Sequence, residues 1–345
     1  AAVGNAERLF GLEAFGAAAL EPEQAPMAPD TLFDLASLTK VVATTPAVLH
    51  LLEAGAFSLE TPVADLLPVF ADRRVTVRHL LTHTSGLPAW MPLYLDCSGL
   101  AEYAAAIGAT PLVRASGTQV EYSDLGFILL GAMVERLSET ALPDFCREAI
   151  FAPLGMAHTT WSPKGPRSGI AATEKGNQTE YGMCGERAAS FGRWRHEVLW
   201  GEVNDGNAWY GLGGISGHAG LFSTAGDLAR YAQAWLNGGG PILSQHTVAL
   251  AARSHTAGKP ENRGLGWQKP AHVPFPPKSV SCGDLMSPAA FGHTGFTGTS
   301  LWIDPEKDLF AVLLTNRLHP VTVPRSADLM AIRPAFHNAV VASIT

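Results

Sequence analysis

Ser37-Leu-Thr-Lys40 sets a hydroxyl and an amine three residues apart, at the head of an almost wholly apolar run from Val41 to Leu52. Serine is a weak nucleophile until a neighbour takes its proton. Residues three apart share one face of a helix, so Lys40 would stand beside Ser37. No other serine in the chain has lysine at the third position after it. A lysine in a buried helix is costly unless paired or functional. On these four residues alone, Ser37 could equally be a helix N-cap. Two further groups come later in the chain. Tyr122-Ser-Asp124 precedes a second apolar run, Leu125 to Leu137, and His293-Thr-Gly295 opens a glycine-rich stretch that also reads as a bulged strand.

In this order the three motifs resemble the serine penicillin-recognising hydrolases. The nearest likeness is to the branch holding class C β-lactamases, D,D-peptidases and family VIII esterases, whose pattern is Ser-x-x-Lys, Tyr-x-Asn, then Lys-Thr-Gly or His-Thr-Gly. FDLASLTK, VTVRHLLTHTSGLP, VEYSDLGFILLG, SGHAGLFSTAGDLARYAQ and FGHTGFTGTSLWIDP extend that likeness over most of residues 30–316. The resemblance implies Ser37 as the nucleophile of an acyl-enzyme, with Lys40 and Tyr122 moving protons. The backbone N–H of Ser37, at a helix N-terminus, is a natural oxyanion donor. By resemblance, Phe296 supplies the second N–H, while Asp124, His293, Thr294 and Gly295 touch substrate. Gly295 and Gly298 would let the substrate approach the strand. No cofactor and no metal are implied.

Lysine and tyrosine both titrate near pH 10 when unperturbed. Burial is expected to push Lys40 downward, and neighbouring cations to favour the Tyr122 phenolate. Which of the two holds the proton is a coupled question. Two positions depart from the pattern. Asp124 replaces an asparagine that would donate to a substrate carbonyl, and an ionised carboxylate only accepts. It either holds Lys40 in its charged form, opposing its use as a base, or caps the Leu125 helix. His293 replaces lysine and would grip a substrate carboxylate less firmly. Both changes point away from efficient β-lactam turnover.

Other candidates carry less. His79 and His83 are four apart but lack the glutamate of a zinc-protease helix, and His83-Thr-Ser-Gly86 reads as a structural turn. The segment Glu202 to Asn207, with Trp209 and Tyr210, either lines the cleft or is an ordered surface loop. No serine is flanked by glycines at −2 and +2, so an α/β-hydrolase nucleophile elbow is missing. Asn177-Gln-Thr179 is a formal glycosylation triplet without evident meaning.

The elements that must position these groups change type along the chain. Strand-like segments lie at residues 8–20, and Thr299 to Ile303 with Leu309 to Leu314 form a hairpin. Helical patterns cover the Ser37 run, ending near Gly55, then Pro62 to Phe70, Val75 to Leu81, Leu100 to Ile107, Leu125 to Leu137 and Asp144 to Ile150. Thr224-Ala-Gly-Asp227 is a capping signal for one more helix, and Ala327 to Ile344 is helical in pattern. Residues 162–220 read as long ordered loops over a site, and 258–290 as loop. The expected fold class is α/β of the α+β type, β-lactamase/transpeptidase-like. An antiparallel sheet flanked by helices would carry an inserted, mainly helical subdomain. The chain reads as one catalytic domain, with residues 1–60 and 221–345 in the sheet-containing part and 61–220 as the insertion.

Composition bounds the rest. At 345 residues, with 47% apolar and 16% charged residues, the chain is a globular protein with a substantial core. Its net charge of −7 and the lack of any basic run longer than Arg193-Trp-Arg195-His196 argue against nucleic acid or a polybasic membrane patch. The four cysteines show no metal or redox spacing and read as free thiols. No membrane span and no signal peptide are legible, and Ala1 in first place leaves a cytoplasmic or an extracytoplasmic location open. The expectation is a soluble serine hydrolase of a small-molecule ester or amide, esterase-like, with weak β-lactamase activity at most. Alternatives are a D,D-carboxypeptidase or muramyl amidase acting on peptidoglycan, or a penicillin-binding sensor that does not turn over. Oligomeric state stays open.

Overall fold

The structure is a computed structural model that describes residues 1–270, 281–319 and 327–344. Part of the loop expected over 258–290 therefore lies outside the described residues. The strands are β1 (Ala2–Gly4), β2 (Leu9–Leu12), β3 (Ala17–Ala19), β4 (Ala25–Pro26), β5 (Phe33–Asp34), β6 (Phe222–Ser223), β7 (Phe291–Thr294), β8 (Ser300–Asp304) and β9 (Leu309–Leu313). The helices are α1 (Thr45–Glu53), α2 (Val63–Leu66), α3 (Val77–Leu81), α4 (Gly99–Ala109), α5 (Asp124–Ser138), α6 (Leu142–Cys146), α7 (Gln178–Cys184), α8 (Ala225–Leu236), α9 (Gln245–Ala252) and α10 (Ala327–Ala342).

Both ends of the chain build one antiparallel sheet in the order β2-β1-β9-β8-β7. The mixed α/β architecture expected from the sequence, an antiparallel sheet with helices, is the one observed. Strands β8 and β9 are buried at nearly every position, as strands covered on both faces must be. Helix α8 lies on one face, with Leu228, Tyr231 and Trp235 turned inward. Trp235, Trp267 and Phe291 then stack edge to face, with ring centroids 4.9 to 5.6 Å apart. Thr224 caps α8 by accepting the Asp227 N–H, as its sequence signal predicts. The 162–220 stretch is less loop-like than expected. It holds α7, two short 3₁₀ turns and a π turn at Asn207–Gly211.

Two helices carry the site. The run after Ser37 opens with a π turn, Lys40–Thr44, and continues as α1. It packs against α5, which is buried continuously from Leu125 to Val134. The cap of α5 is Ser123, not Asp124. Ser123 Oγ accepts the Gly126 N–H at 3.4 Å and donates to Pro88 O at 2.6 Å. Losing such a cap costs about 1 kcal/mol. Ser123→Ala is therefore expected to lower unfolding stability by about that amount in urea titrations. A change within error would mean that the long, weak bond to Gly126 does not cap the helix. All four cysteines are free, and among the described residues no helix is long and apolar enough to cross a membrane.

Candidate active site

The nucleophile sits on a strained turn. β5 pairs with β6, and the Leu35 N–H donates to Leu221 O at 2.9 Å. Ala36 then takes φ +47°, a left-handed conformation that residues with a β-carbon rarely adopt. The Asp34 carboxylate holds it there by accepting the Ala36 N–H at 2.8 Å. The Lys40 N–H donates to Ser37 O at 3.1 Å, so Ser37 stands at the N-terminal turn of the helical run.

Lys40 is fully buried, and its Nζ reaches three acceptors. These are Ser37 Oγ at 3.0 Å, the His218 carbonyl at 2.9 Å and Asp124 Oδ1 at 2.7 Å. The first two are hydrogen bonds and the third is an ion pair. Nζ also lies 5.0 Å from the centre of the Tyr122 ring, and the Tyr122 hydroxyl interacts with both Lys40 and Ser37. Burial is the largest influence on Lys40 and works downward. Asp124 and Tyr122 together outweigh it, so Lys40 is held above its ordinary value. Burial raises Tyr122 as well, and Asp124 adds to that rise against the pull of Lys40. Both directions are opposite to those expected from sequence, because Asp124 and Tyr122 outweigh burial at Lys40, while burial, helped by Asp124, outweighs Lys40 at Tyr122. Of the two readings of Asp124, the Lys40 partner is the one the structure shows.

Tyr122 is fixed from behind. The His83 ring stacks on it at 4.5 Å, the His293 ring lies at 5.8 Å, and the Arg263 guanidinium stands 5.4 Å from its centre. His83, at φ +55°, accepts the Ser123 N–H on Nδ1 at 3.0 Å. Its turn therefore positions Tyr122 rather than merely reversing the chain. Burial and the nearby cations push both histidines well below their ordinary value, so both rings are neutral. His293 supplies no charge for a substrate carboxylate.

The turn after β7 is tied to the nucleophile turn. Thr297 Oγ1 donates to Asp34 O at 2.6 Å and Thr299 Oγ1 to Leu35 O at 3.0 Å. A β-carbon at Gly295 would press on Leu35 O. That glycine serves the close approach of the two turns, not that of a substrate. The Gly295 N–H is bonded to Thr299 O and its carbonyl to Arg333. By contrast, neither the Ser37 nor the Phe296 N–H has an acceptor among the described residues.

A cavity of about 200 Å³ opens on this group. Ser37, Tyr122, Asp124 and Phe296 line it, while His293, Thr294 and Gly295 lie beside it and do not form its wall. Its far wall comes from the segment read as either cleft or loop. Asn204 and Asp205 stand on it, with Glu180 of α7, and Trp90 and Met183 add apolar surface. Asp34 Oδ2 accepts the Asn204 N–H at 2.7 Å, so one carboxylate braces both the nucleophile turn and this wall. Asn177 is buried and braces it too, donating to Asn204 O at 2.8 Å, which removes any sense of a glycosylation site. Sequence reasoning missed Glu180, His218 and Arg263, which no local spacing marks. Among the described residues no cluster of His, Cys, Asp and Glu could hold a metal.

Comparison with known proteins places the chain in a family and a fold. The Beta-lactamase family model matches residues 1–333. An Escherichia coli K12 protein named "Putative D-alanyl-D-alanine carboxypeptidase" is 37% identical over 319 residues, covering 86% of this chain and 71% of that protein. A Salmonella typhimurium protein of the same name is 35% identical over 325 residues, covering 86% and 72%. Among solved structures, a class C beta lactamase from Rhodobacter sphaeroides superposes with a TM-score of 0.71 at 22% identity, covering 99% of this chain and 93% of that one. EstCE1, described as a hydrolase with promiscuous acyltransferase activity, gives 0.71 at 21% identity, covering 96% and 92%. With a family match over nearly its whole length and two relatives above 30% identity, the chain belongs to the beta-lactamase family and is a serine hydrolase.

Proposed function

We propose that the protein hydrolyses neutral carboxylic esters or amides through an acyl-enzyme on Ser37. The 3.0 Å contact between Lys40 Nζ and Ser37 Oγ, inside a cleft that also holds Tyr122, carries this reading. Ser37 attacks the acyl carbon while its proton passes to the Lys40–Tyr122 pair, and the leaving group takes a proton back from that pair. The N–H groups of Ser37 and Phe296 receive the oxyanion.

The cleft wall favours a neutral substrate. Among the described residues the carboxylates Asp124 and Asp205 line it, and no lysine or arginine does. A carboxylate, as on a β-lactam nucleus or a peptide C-terminus, would meet like charge. A D,D-carboxypeptidase is the second reading, favoured by the names of the relatives at 35–37% identity. A screen of p-nitrophenyl esters, D-Ala-D-Ala peptides, muropeptides and nitrocefin separates the possibilities. Esters are expected to turn over fastest. Faster release of D-alanine would select the carboxypeptidase, and a single stoichiometric burst followed by silence would select a sensor.

A further inference from the structure

We propose that Asp205 is the base that activates the hydrolytic water for release of the acyl group from Ser37, with His218 as its positioning residue. This rests on the acyl-enzyme reading above. Asp205 lines the same cavity as Ser37, and its side chain is 19% exposed there. Its Oδ1 is doubly engaged, 3.0 Å from His218 Nε2 and accepting the Ala208 N–H at 2.8 Å. Its Oδ2 has no hydrogen-bond partner among the described residues. His218 is buried, with Nδ1 2.7 Å from Ser216 Oγ, so its ring is held at both ends. Since a carboxylate only accepts, Nε2 carries the hydrogen toward Asp205.

His218 also receives Lys40 Nζ on its carbonyl. One residue thus links the groups assigned to acylation with the carboxylate assigned to deacylation. The other carboxyl groups on the wall are unsuited to accept a proton. Asp124 is paired with Lys40 at 2.7 Å. Glu180 accepts from the Tyr94 hydroxyl and the Gly206 N–H, and burial with the Asp205 charge pushes it up to about 8, so it is largely a neutral acid at pH 7. For Asp205, burial opposes ionisation, but the His218 ring and the Ala208 N–H outweigh it and hold the carboxyl below its ordinary value.

The step balances without a further reactant. A water gives one proton to Asp205 Oδ2, and its oxygen bonds to the acyl carbon. The tetrahedral oxyanion collapses, the bond from carbon to Ser37 Oγ breaks, and Oγ regains a proton from the Lys40–Tyr122 pair. The free acid leaves, the proton on Asp205 passes to solvent, and the Lys40–Tyr122 pair takes one back from solvent, so that every group returns to its starting state.

The test follows p-nitrophenyl acetate in stopped flow and by intact-protein mass. Asp205→Asn is expected to release its first equivalent of p-nitrophenol within threefold of the wild-type rate. It then turns over about a hundredfold more slowly, with an acetyl group accumulating on Ser37. Hydroxylamine, which needs no base, should clear that acetyl group as fast as it clears the wild-type one. His218→Gln should keep the burst, lengthen the acyl-enzyme lifetime and raise the pH at which deacylation reaches its plateau. Asp205→Glu, which restores the carboxylate, should recover part of the turnover and guards against a fold defect in the asparagine variant. Burst and steady state falling together in both variants, or steady-state turnover unchanged, would overturn the assignment. So would a raised KM confined to amine-bearing esters, which would make Asp205 a cation subsite. A wild-type protein that never acylates at Ser37 would instead overturn the proposed function itself.

Discussion

Ser37→Ala is expected to lower kcat/KM on every substrate by on the order of 10⁴-fold or more, while the unfolding midpoint stays at the wild-type value. The size follows from the chemistry. Without Oγ no acyl-enzyme forms, and only the oxyanion donors and the binding surface remain to act on a direct attack by water. The unchanged stability follows from the surroundings. Ser37 lines the cleft, and its hydroxyl makes one bond to Lys40. Lys40 keeps the His218 carbonyl and Asp124 when that bond is lost. No buried charge is left alone, the usual cause of a large stability loss at such a site. Activity measured beside a urea titration checks both halves. Residual turnover within tenfold of wild type would remove Ser37 from the mechanism, whatever the stability result.

What the sequence disclosed and what it hid divide along a physical line. Ser37 and Lys40 were legible because helical periodicity alone puts residues three apart side by side. The apolar runs behind them marked α1 and α5, and the C-terminal hairpin stood out as two apolar, β-leaning runs joined by Asp304-Pro-Glu-Lys-Asp308. The segment holding Asp205 was legible only as cleft or loop, and His218 and Glu180 were hidden, because their meaning arises only when distant loops meet on one wall. His83 looked like a turn because its spacing does not record that its ring lies on Tyr122. Asp124 was misplaced as a possible cap by a single residue, with Ser123 holding that position. The protonation of Lys40 was least legible of all. Burial and a neighbouring carboxylate act in opposite senses, and only the 2.7 Å contact decides which wins.

That contact makes Asp124→Asn the variant with the most telling effect on the wild-type chemistry. Lys40 and Tyr122 are both held above their ordinary values, and Asp124 raises both. Either can accept the Ser37 proton only after losing its own. Wild-type kcat/KM should therefore climb with pH through the neutral range into the alkaline, without a plateau below about pH 9. Asparagine keeps the shape of Asp124 but removes the charge. Burial then dominates at Lys40 and pulls it downward, while Tyr122 loses the neighbour that opposed its phenolate. An adjacent opposite charge moves a pKa by about 1 to 3, so the acid limb should move to lower pH by about that much. At a fixed pH on that limb, the rate rises about tenfold for each step of roughly one in pH that the limb travels. Acylation by nitrocefin should rise most, since the asparagine side chain also offers an amide donor to a substrate carbonyl and no longer repels a carboxylate. The measurement is a pH series of acylation rates for both proteins. An unmoved limb with unchanged nitrocefin acylation would mean that the Lys40–Asp124 pair stabilises the fold without controlling the base, and that the proton of Ser37 leaves by a route which does not pass through Lys40.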